Sequence, residues 1–187
     1  MPENPIWLNW ADSLPRQWQL WLESPLVKSA PVGLDYLYQQ LSEKADWILT
    51  RLWPTNNLTL VHGDFHAQNI FWDGYKREAV FFDWDGCHPG RGAHDLAYLL
   101  ALLPTDYRRQ IESKLLEIYL EALHQADINY AETELKQDYQ FGVLFASCLV
   151  PMMLQFVSPV DEIPGSTAYI TQNVLTAAQD LKVIELL

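Results

Sequence analysis

The chain has 187 residues, a length that suits one domain. Hydrophobic residues make up 49% of it, which permits a sizeable core and argues against disorder. The formal net charge of −12 argues against nucleic acid and anionic membranes as partners, because both demand a basic surface.

The two cysteines, Cys87 and Cys148, have no pairing spacing, so a reducing cytoplasm is the expected compartment. The first thirty residues hold no basic stretch followed by an apolar core. No run reaches the ~18 apolar residues that a membrane span needs. The most apolar stretch, Phe141 to Val157, is interrupted by Pro151 and Gln155 and reads as a buried helix.

Residues 1 to 12 read as irregular: Pro2, Asn4, Pro5 and Asn9 break any pattern, while Trp7, Leu8 and Trp10 need somewhere to pack. A helix is expected from near Ser13, with Pro15 in its first turn and Leu14, Trp18, Trp21 and Leu22 on one face. Ser24-Pro25 ends it, and Pro31-Val32-Gly33 is a second break. From 34 to 53 the spacing of Leu34, Leu37, Leu41, Ala45, Ile48 and Leu52 predicts one long amphipathic helix, stopped by Pro54 and Asn56-Asn57.

Between about 58 and 86 the pattern changes to apolar runs that deliver polar groups at their ends. Leu60-Val61 lead into His62-Gly63-Asp64. Ile70 to Trp72 leave from Asn69, Asp73-Gly74 offers a turn, and Val80 to Phe82 return to Asp83. An antiparallel hairpin of this kind brings Asn69 and Asp83 close together. Two oxygen donors beside the carboxylate of Asp64 make a hard-cation site of the sort Mg2+ uses when it also holds phosphate. Residues 87 to 92 are rich in turn formers and read as a loop.

Helices are expected over His94 to Leu103, from Thr105 or Asp106 to about His124, over 131 to 156, and from Ser166 to Ile184, with a loop at Asp161 to Gly165. The 105–124 helix carries a stripe of Tyr107, Ile111, Leu115, Tyr119 and Ala122. The fold class is therefore α+β, mainly helical, with a small antiparallel β element, and the whole chain reads as a single domain.

His62-Gly63-Asp64-Phe65-His66, Asn69 five residues after Asp64, Phe82-Asp83-Trp84-Asp85, and Asp95-Leu96-Ala97 twelve residues after Asp83 together resemble the aminoglycoside phosphotransferase and choline kinase-like superfamily. The resemblance is strong over roughly residues 55 to 105. It implies a protein-kinase-like C-terminal lobe, with the long 34–53 helix preceding the catalytic loop and the hairpin carrying the catalytic and metal loops. It implies ATP as phosphate donor, Mg2+ as cofactor and a small-molecule hydroxyl as acceptor. Asp64 then takes the role of catalytic base, and Asn69 and Asp83 hold the metal. His62 is the buried histidine that braces the loop, and Asp95 the carboxylate that holds the loop backbone.

Several residues keep a plainer reading beside that one. Asp64 could cap loop N–H groups, Asn69 and Asp83 could serve hairpin-end turns, and Asp95 could favour a helix N-terminus. Asp85 either joins the metal or substrate or is a solvated loop carboxylate. His66 either supports the loop and phosphate or is a partly exposed histidine. Gly63 supplies backbone freedom. One cysteine, Cys87, with scattered histidines does not make a zinc site.

A complete enzyme of this family also has an N-terminal lobe, with a glycine-rich loop and a strand lysine paired to a glutamate. Neither motif is found in these 187 residues. The chain is thus expected to be a fragment, a shortened product or part of a split enzyme, with little activity alone. An unusually apolar face is expected where a separate N-lobe polypeptide, or a second copy, would sit. The competing class is a non-catalytic partner- or metal-binding pseudokinase module. A third, a metal-dependent phosphoesterase, is suggested by Gly63-Asp64-Phe65-His66 and His94-Asp95. It lacks the Asp-x-His such enzymes carry near the start of the domain.

Overall fold

The computed structural model describes residues 10–24, 34–53, 56–156 and 166–187. Expectations for residues 1–9 of the irregular start, the Pro31–Gly33 break and the Asp161–Gly165 loop fall outside these residues; residues 10–12, expected to be irregular, are helical. Among the described residues the chain is mainly helical with two small antiparallel strand pairs, an α+β composition. It divides into a terminal unit, Met1–Trp53 with Leu144–Leu187, and a central unit, Pro54–Val143. No described helix is long and apolar enough to cross a membrane.

The terminal unit contains α1 (Trp10–Glu23), α2 (Leu34–Glu43), α3 (Ala45–Leu52) and, beyond the central unit, α7 (Ser166–Asp180). Leu37, Leu41, Ala45, Ile48 and Leu52 are all buried, as their three- and four-residue spacing requires. The expected single helix is nevertheless two. Lys44 leaves helical geometry (φ −111°, ψ 18°) between α2 and α3, while its N–H still reaches the Gln40 carbonyl at 3.0 Å. Apolar periodicity persists across such a joint, so it carries no sequence mark. The Lys44 ammonium donates to the backbone oxygen of Leu187, tying the joint to the C-terminal residue.

α1 begins three residues earlier than expected and places Pro15 past its first turn. It buries Leu14, Trp18 and Trp21. Trp18 stacks on Tyr38 of α2 with ring centroids 4.1 Å apart and on Trp21 at 5.0 Å. Large rings packed this way dominate the energetics of a small core, each worth a few kcal/mol of transfer free energy. The Tyr38 hydroxyl, fully buried, donates to the Ser147 carbonyl at 3.0 Å. α7 ends at Asp180 rather than Ile184, because Lys182 turns into the left-handed region (φ 50°) before a 3-10 turn at Val183–Leu186. The buried Cys148 donates to the Leu144 carbonyl at 3.5 Å, while Cys87 of the central unit is exposed.

The central unit opens with β1 (Thr59–Val61), followed by β2 (Ile70–Asp73), β3 (Glu78–Phe81) and β4 (His88–Gly90). β2 and β3 form the expected hairpin, with Ile70 opposite Phe81 and Asp73 opposite Glu78. Its turn runs over residues 74–77. Asp73 Oδ1 accepts from the N–H groups of Tyr75 (2.9 Å) and Lys76 (3.1 Å), an Asx-turn. The segment expected to be only a loop contains β4, which pairs antiparallel with β1 in the register Val61–His88, Leu60–Pro89, Thr59–Gly90. Pro89 reads as a turn former, but a two-stranded pair has only edge strands, and an edge strand tolerates proline.

α4 (Gly92–Leu102) and α5 (Thr105–Gln125) follow. α6 (Glu132–Phe156) is shared: its residues to Val143 belong to the central unit and those from Leu144 to the terminal one. The stripe expected on α5 is displaced. Leu116, Tyr119, Leu120 and Leu123 pack on the buried Ala93, Tyr130 and Leu135, whereas Tyr107 is half exposed. α5 carries apolar residues on more than one face, so periodicity alone does not select the buried one. A Cβ on Gly142 of α6 would stand 2.5 Å from Ala97 Cβ, so only glycine lets α6 lie this close to α4.

Candidate active site

The site is built on the central unit, where two loops meet above the start of α4. The first loop, residues 62–69, joins β1 to the hairpin. The second, residues 82–87, joins the hairpin to β4. Their contact is close enough to dictate sequence. Gly63 has φ +80°, and a Cβ there would stand 2.3 Å from the Gly86 carbonyl oxygen. Any side chain would both strain the backbone and push the loops apart.

Three polar side chains fix these loops. Asp95, in the first turn of α4, accepts from the His62 N–H through Oδ2 (2.6 Å) and from the Gly63 N–H through Oδ1 (3.0 Å). A carboxylate gripping two adjacent amides makes two charge-assisted bonds, each stronger than a neutral one. His62 is 2% exposed. Its Nε2 lies 2.8 Å from the Phe82 carbonyl and its Nδ1 accepts from the Asp64 N–H at 3.3 Å. This assignment makes Nε2 the protonated nitrogen, so one neutral ring donates to the second loop and accepts from the first. Trp84 covers that ring at 4.7 Å between centroids. Asn69, 5% exposed, donates from Nδ2 to the Asp64 carbonyl at 3.0 Å, and its main-chain carbonyl accepts from the Phe82 N–H at 3.2 Å.

These bonds place Asn69 across the hairpin end from Phe82, one residue before Asp83. Asp83 sits in the left-handed region (φ 63°, ψ 57°), an uncommon conformation for a residue other than glycine. Its side chain is exposed and makes no capping bond to the 3-10 turn Trp84–Gly86 that follows. Asp85 lies in that turn and is exposed. Because Asn69 spends its amide nitrogen on the loop, its Oδ1 is left as an acceptor. An amide oxygen and a carboxylate such as that of Asp83 are the oxygen chemistry that Mg2+ takes. Among the described residues, no three His, Cys, Asp or Glu side chains group as a metal centre.

The Asp64 side chain is about half exposed, with His66 Nε2 3.5 Å from its Oδ2. Tyr98 of α4 stands near this carboxylate, its ring 6.4 Å from that of His66 between centroids. Burial, and then that carboxylate, push the Tyr98 phenol well above its ordinary range. Sequence reading missed Tyr98. The available signal was its position three residues after Asp95, which places both on one helical face.

Beside the loops, a second network braces the start of α4. Arg91 pairs with Asp138 of α6 and reaches Asn56 Oδ1 at 3.3 Å, and the Tyr130 hydroxyl also donates to Asp138. Burial pulls the Arg91 guanidinium down, but Asp138 overrides it and the net shift is upward. Next to this brace is a cleft of about 440 Å³ bordered by Leu60, Phe65, Asp95, Leu96, Tyr119 and Tyr130. Asp64, Asn69 and Asp83 do not line it.

The hairpin itself is open. Phe71, Trp72, Val80, Phe81, Phe82 and Trp84 are each more than 40% exposed. A two-stranded hairpin is at best marginally stable by itself in water.

No curated protein and no solved structure matches the chain. A family model does: the phosphotransferase enzyme family matches residues 7–135, more than half of the chain. The matched span includes both loops, the hairpin and α4, and the chain belongs to the phosphotransferase enzyme family.

Proposed function

We propose that the chain is the catalytic-loop lobe of an ATP-dependent small-molecule kinase that phosphorylates a hydroxyl group. The observation that supports this reading is the clamp of Asp95 and His62, which fixes the 62–69 loop, carrying Asp64 and Asn69, to the 82–87 loop, carrying Asp83. Asp64 is the base. As the acceptor oxygen bonds to the γ-phosphorus and the bond to the ADP oxygen breaks, the hydroxyl proton passes to the Asp64 carboxylate. Asn69 Oδ1 and the Asp83 carboxylate would hold Mg2+, which supplies neutralisation of phosphate charge when bound. His66 steadies Asp64, and Asp85 faces solvent as a candidate second contact for metal or substrate.

The glycine-rich loop and strand lysine, not found in these 187 residues, would be supplied by an N-lobe polypeptide seated on the exposed hairpin. On this reading the lobe corresponds to a protein-kinase-like C-terminal half, and its working compartment would be the cytoplasm. The exposed apolar hairpin also favours a second reading, a non-catalytic module whose hairpin only binds a partner.

The test measures ATP turnover with candidate alcohols, for the chain alone and with the protein encoded just upstream. Alongside it, Trp fluorescence and thermal stability are followed during Mg2+ and ATP titration. Turnover that appears with the partner and falls about 100-fold or more in Asp64→Asn supports the kinase. Stabilisation by Mg2+·ATP that disappears in Asp83→Asn supports the metal assignment. No response to either ligand selects the module.

A further inference from the structure

The cleft of about 440 Å³ in the central unit has no part in the chemistry assigned to Asp64, Asn69 and Asp83, none of which lines it. Its size falls in the range of sites that hold small organic molecules. Phe65, Tyr119 and Tyr130 give it ring walls, and Leu60, Leu96 and Ile128 give it aliphatic ones. Leu60 is 64% exposed and Ile128 49%, so the cleft has an apolar edge open to water. The charged side chains on its border are Arg91 and Asp95, and both are already engaged. The Arg91 guanidinium pairs with Asp138. The Asp95 carboxylate holds the His62 and Gly63 N–H groups. A charged guest would therefore lose its water without gaining a counter-ion, which is costly, whereas an uncharged one would not. Asn57 donates its amide nitrogen to Glu134 Oε1 at 2.7 Å, which leaves its Oδ1 as an acceptor on the border of the cleft.

We propose that this cleft binds a flat, uncharged aromatic molecule carrying a hydrogen-bond donor, and that its occupant tightens the 62–69 loop. The second half follows from which walls the guest touches. Asp95 is at once a wall of the cleft and the grip on the loop backbone. Phe65 is another wall, and its ring packs on that of His62 at 5.7 Å and edge-on to that of Phe81 at 5.4 Å between centroids. Opening the loop displaces Phe65 and breaks the Asp95 bonds, so a guest packed against both adds its contacts to the closed state alone. A ligand that favours one state of an equilibrium stabilises that state by mass action. The site does not rest on the kinase reading: it needs the clamp, not the identity of the base.

The test uses the whole chain and indole as the probe, with indoleacetate and tryptamine as its anionic and cationic counterparts. Amide shifts during titration are expected to centre on Leu60, Leu96 and Ile128, with a Kd of about 1 mM or tighter. Each charged probe is expected to bind about tenfold more weakly or worse. Leu60→Glu and Ile128→Glu change exposed positions on separate segments, so the fold is retained, and each should weaken indole binding about tenfold. Trp72→Glu, 61% exposed on the hairpin, should leave it unchanged. With indole bound, amide exchange at His62 and Gly63 should slow in step with occupancy, while that of α1 and α2 stays the same. No saturable shift at the cleft, a charged probe that binds as well as indole, or an affinity lost in Trp72→Glu and kept in Leu60→Glu overturns the site. Saturated binding with unchanged exchange at His62 and Gly63 overturns its effect on the loop.

Discussion

The core of the terminal unit and the site of the central unit are held by different forces. In the terminal unit the stabilising contacts are rings and aliphatic side chains in contact, with Leu14, Tyr38, Leu41 and Ile48 fully buried and Trp18 stacked on Tyr38. In the central unit the site is held by polar side chains reaching backbone amides and carbonyls, and the hairpin beside it leaves most of its aromatic surface in water. Packing tolerates gradual rearrangement, because neighbouring side chains share the loss. A carboxylate on two N–H groups does not, because directional bonds weaken steeply with angle. The part of the molecule assigned to chemistry is therefore the part whose geometry is set by orientation rather than by volume.

The largest effect should come from removing volume in the terminal unit. Trp21 is 1% exposed, and Trp21→Ala is expected to cost about 3–5 kcal/mol in denaturant unfolding. A loss below about 1 kcal/mol would mean that the aromatic stack is not a structural core. Next comes the clamp. Asp95→Asn replaces two charged acceptors with one neutral one and should cost about 1.5–3 kcal/mol. Its sharper signature is local: amide hydrogen exchange at His62 and Gly63 should accelerate while that of α1 and α2 stays unchanged. Acceleration spread evenly over both units would erase the contrast.

The smallest expected effect is a pH slope. Burial raises the Tyr38 phenol well above its ordinary 10.0. Burial, followed by a carboxylate partner, also raises Tyr98 beside Asp64, Tyr130 beside Asp138 and Tyr139 beside Glu112. A group whose folded value is raised contributes stability that is complete below its unfolded value and is lost as pH climbs towards the folded one. Unfolded tyrosine releases its proton near pH 10 while these folded ones keep theirs, so stability should fall above about pH 10. Each such group contributes at most about 1.4 kcal/mol per pH unit. Tyr38→Phe should lessen the slope by up to one such contribution, measured as unfolding midpoints between pH 9 and pH 11. A slope unchanged by Tyr38→Phe would mean that the hydroxyl is not buried as described.

The same contrast explains what could be read from sequence. Residues Leu37, Leu41, Ala45, Ile48 and Leu52 announce their helical face because burial repeats with the helix. The kink at Lys44 interrupts the backbone without interrupting that repeat, and so was invisible. On α5 the repeat misled, since apolar residues occur on more than one face and the choice depends on where Tyr130 and Leu135 lie. β4 was hidden by Pro89, whose turn character is local while its pairing with Leu60 spans the whole hairpin. At the site, the spacing from His62 to Asp95 carried the family because chemistry fixes intervals along a loop. Tyr98 was not legible in that pattern: it comes near Asp64 only after α4 folds against the loop.

The two cysteines differ as sharply as the two units. Cys148 has no exposed surface and its thiol is pushed up by burial, whereas Cys87 is exposed in the second loop, just past Asp83. A maleimide dye added to the folded, unmodified protein should therefore attach at one address. The fluorophore would then report docking events at the loop without any engineered handle.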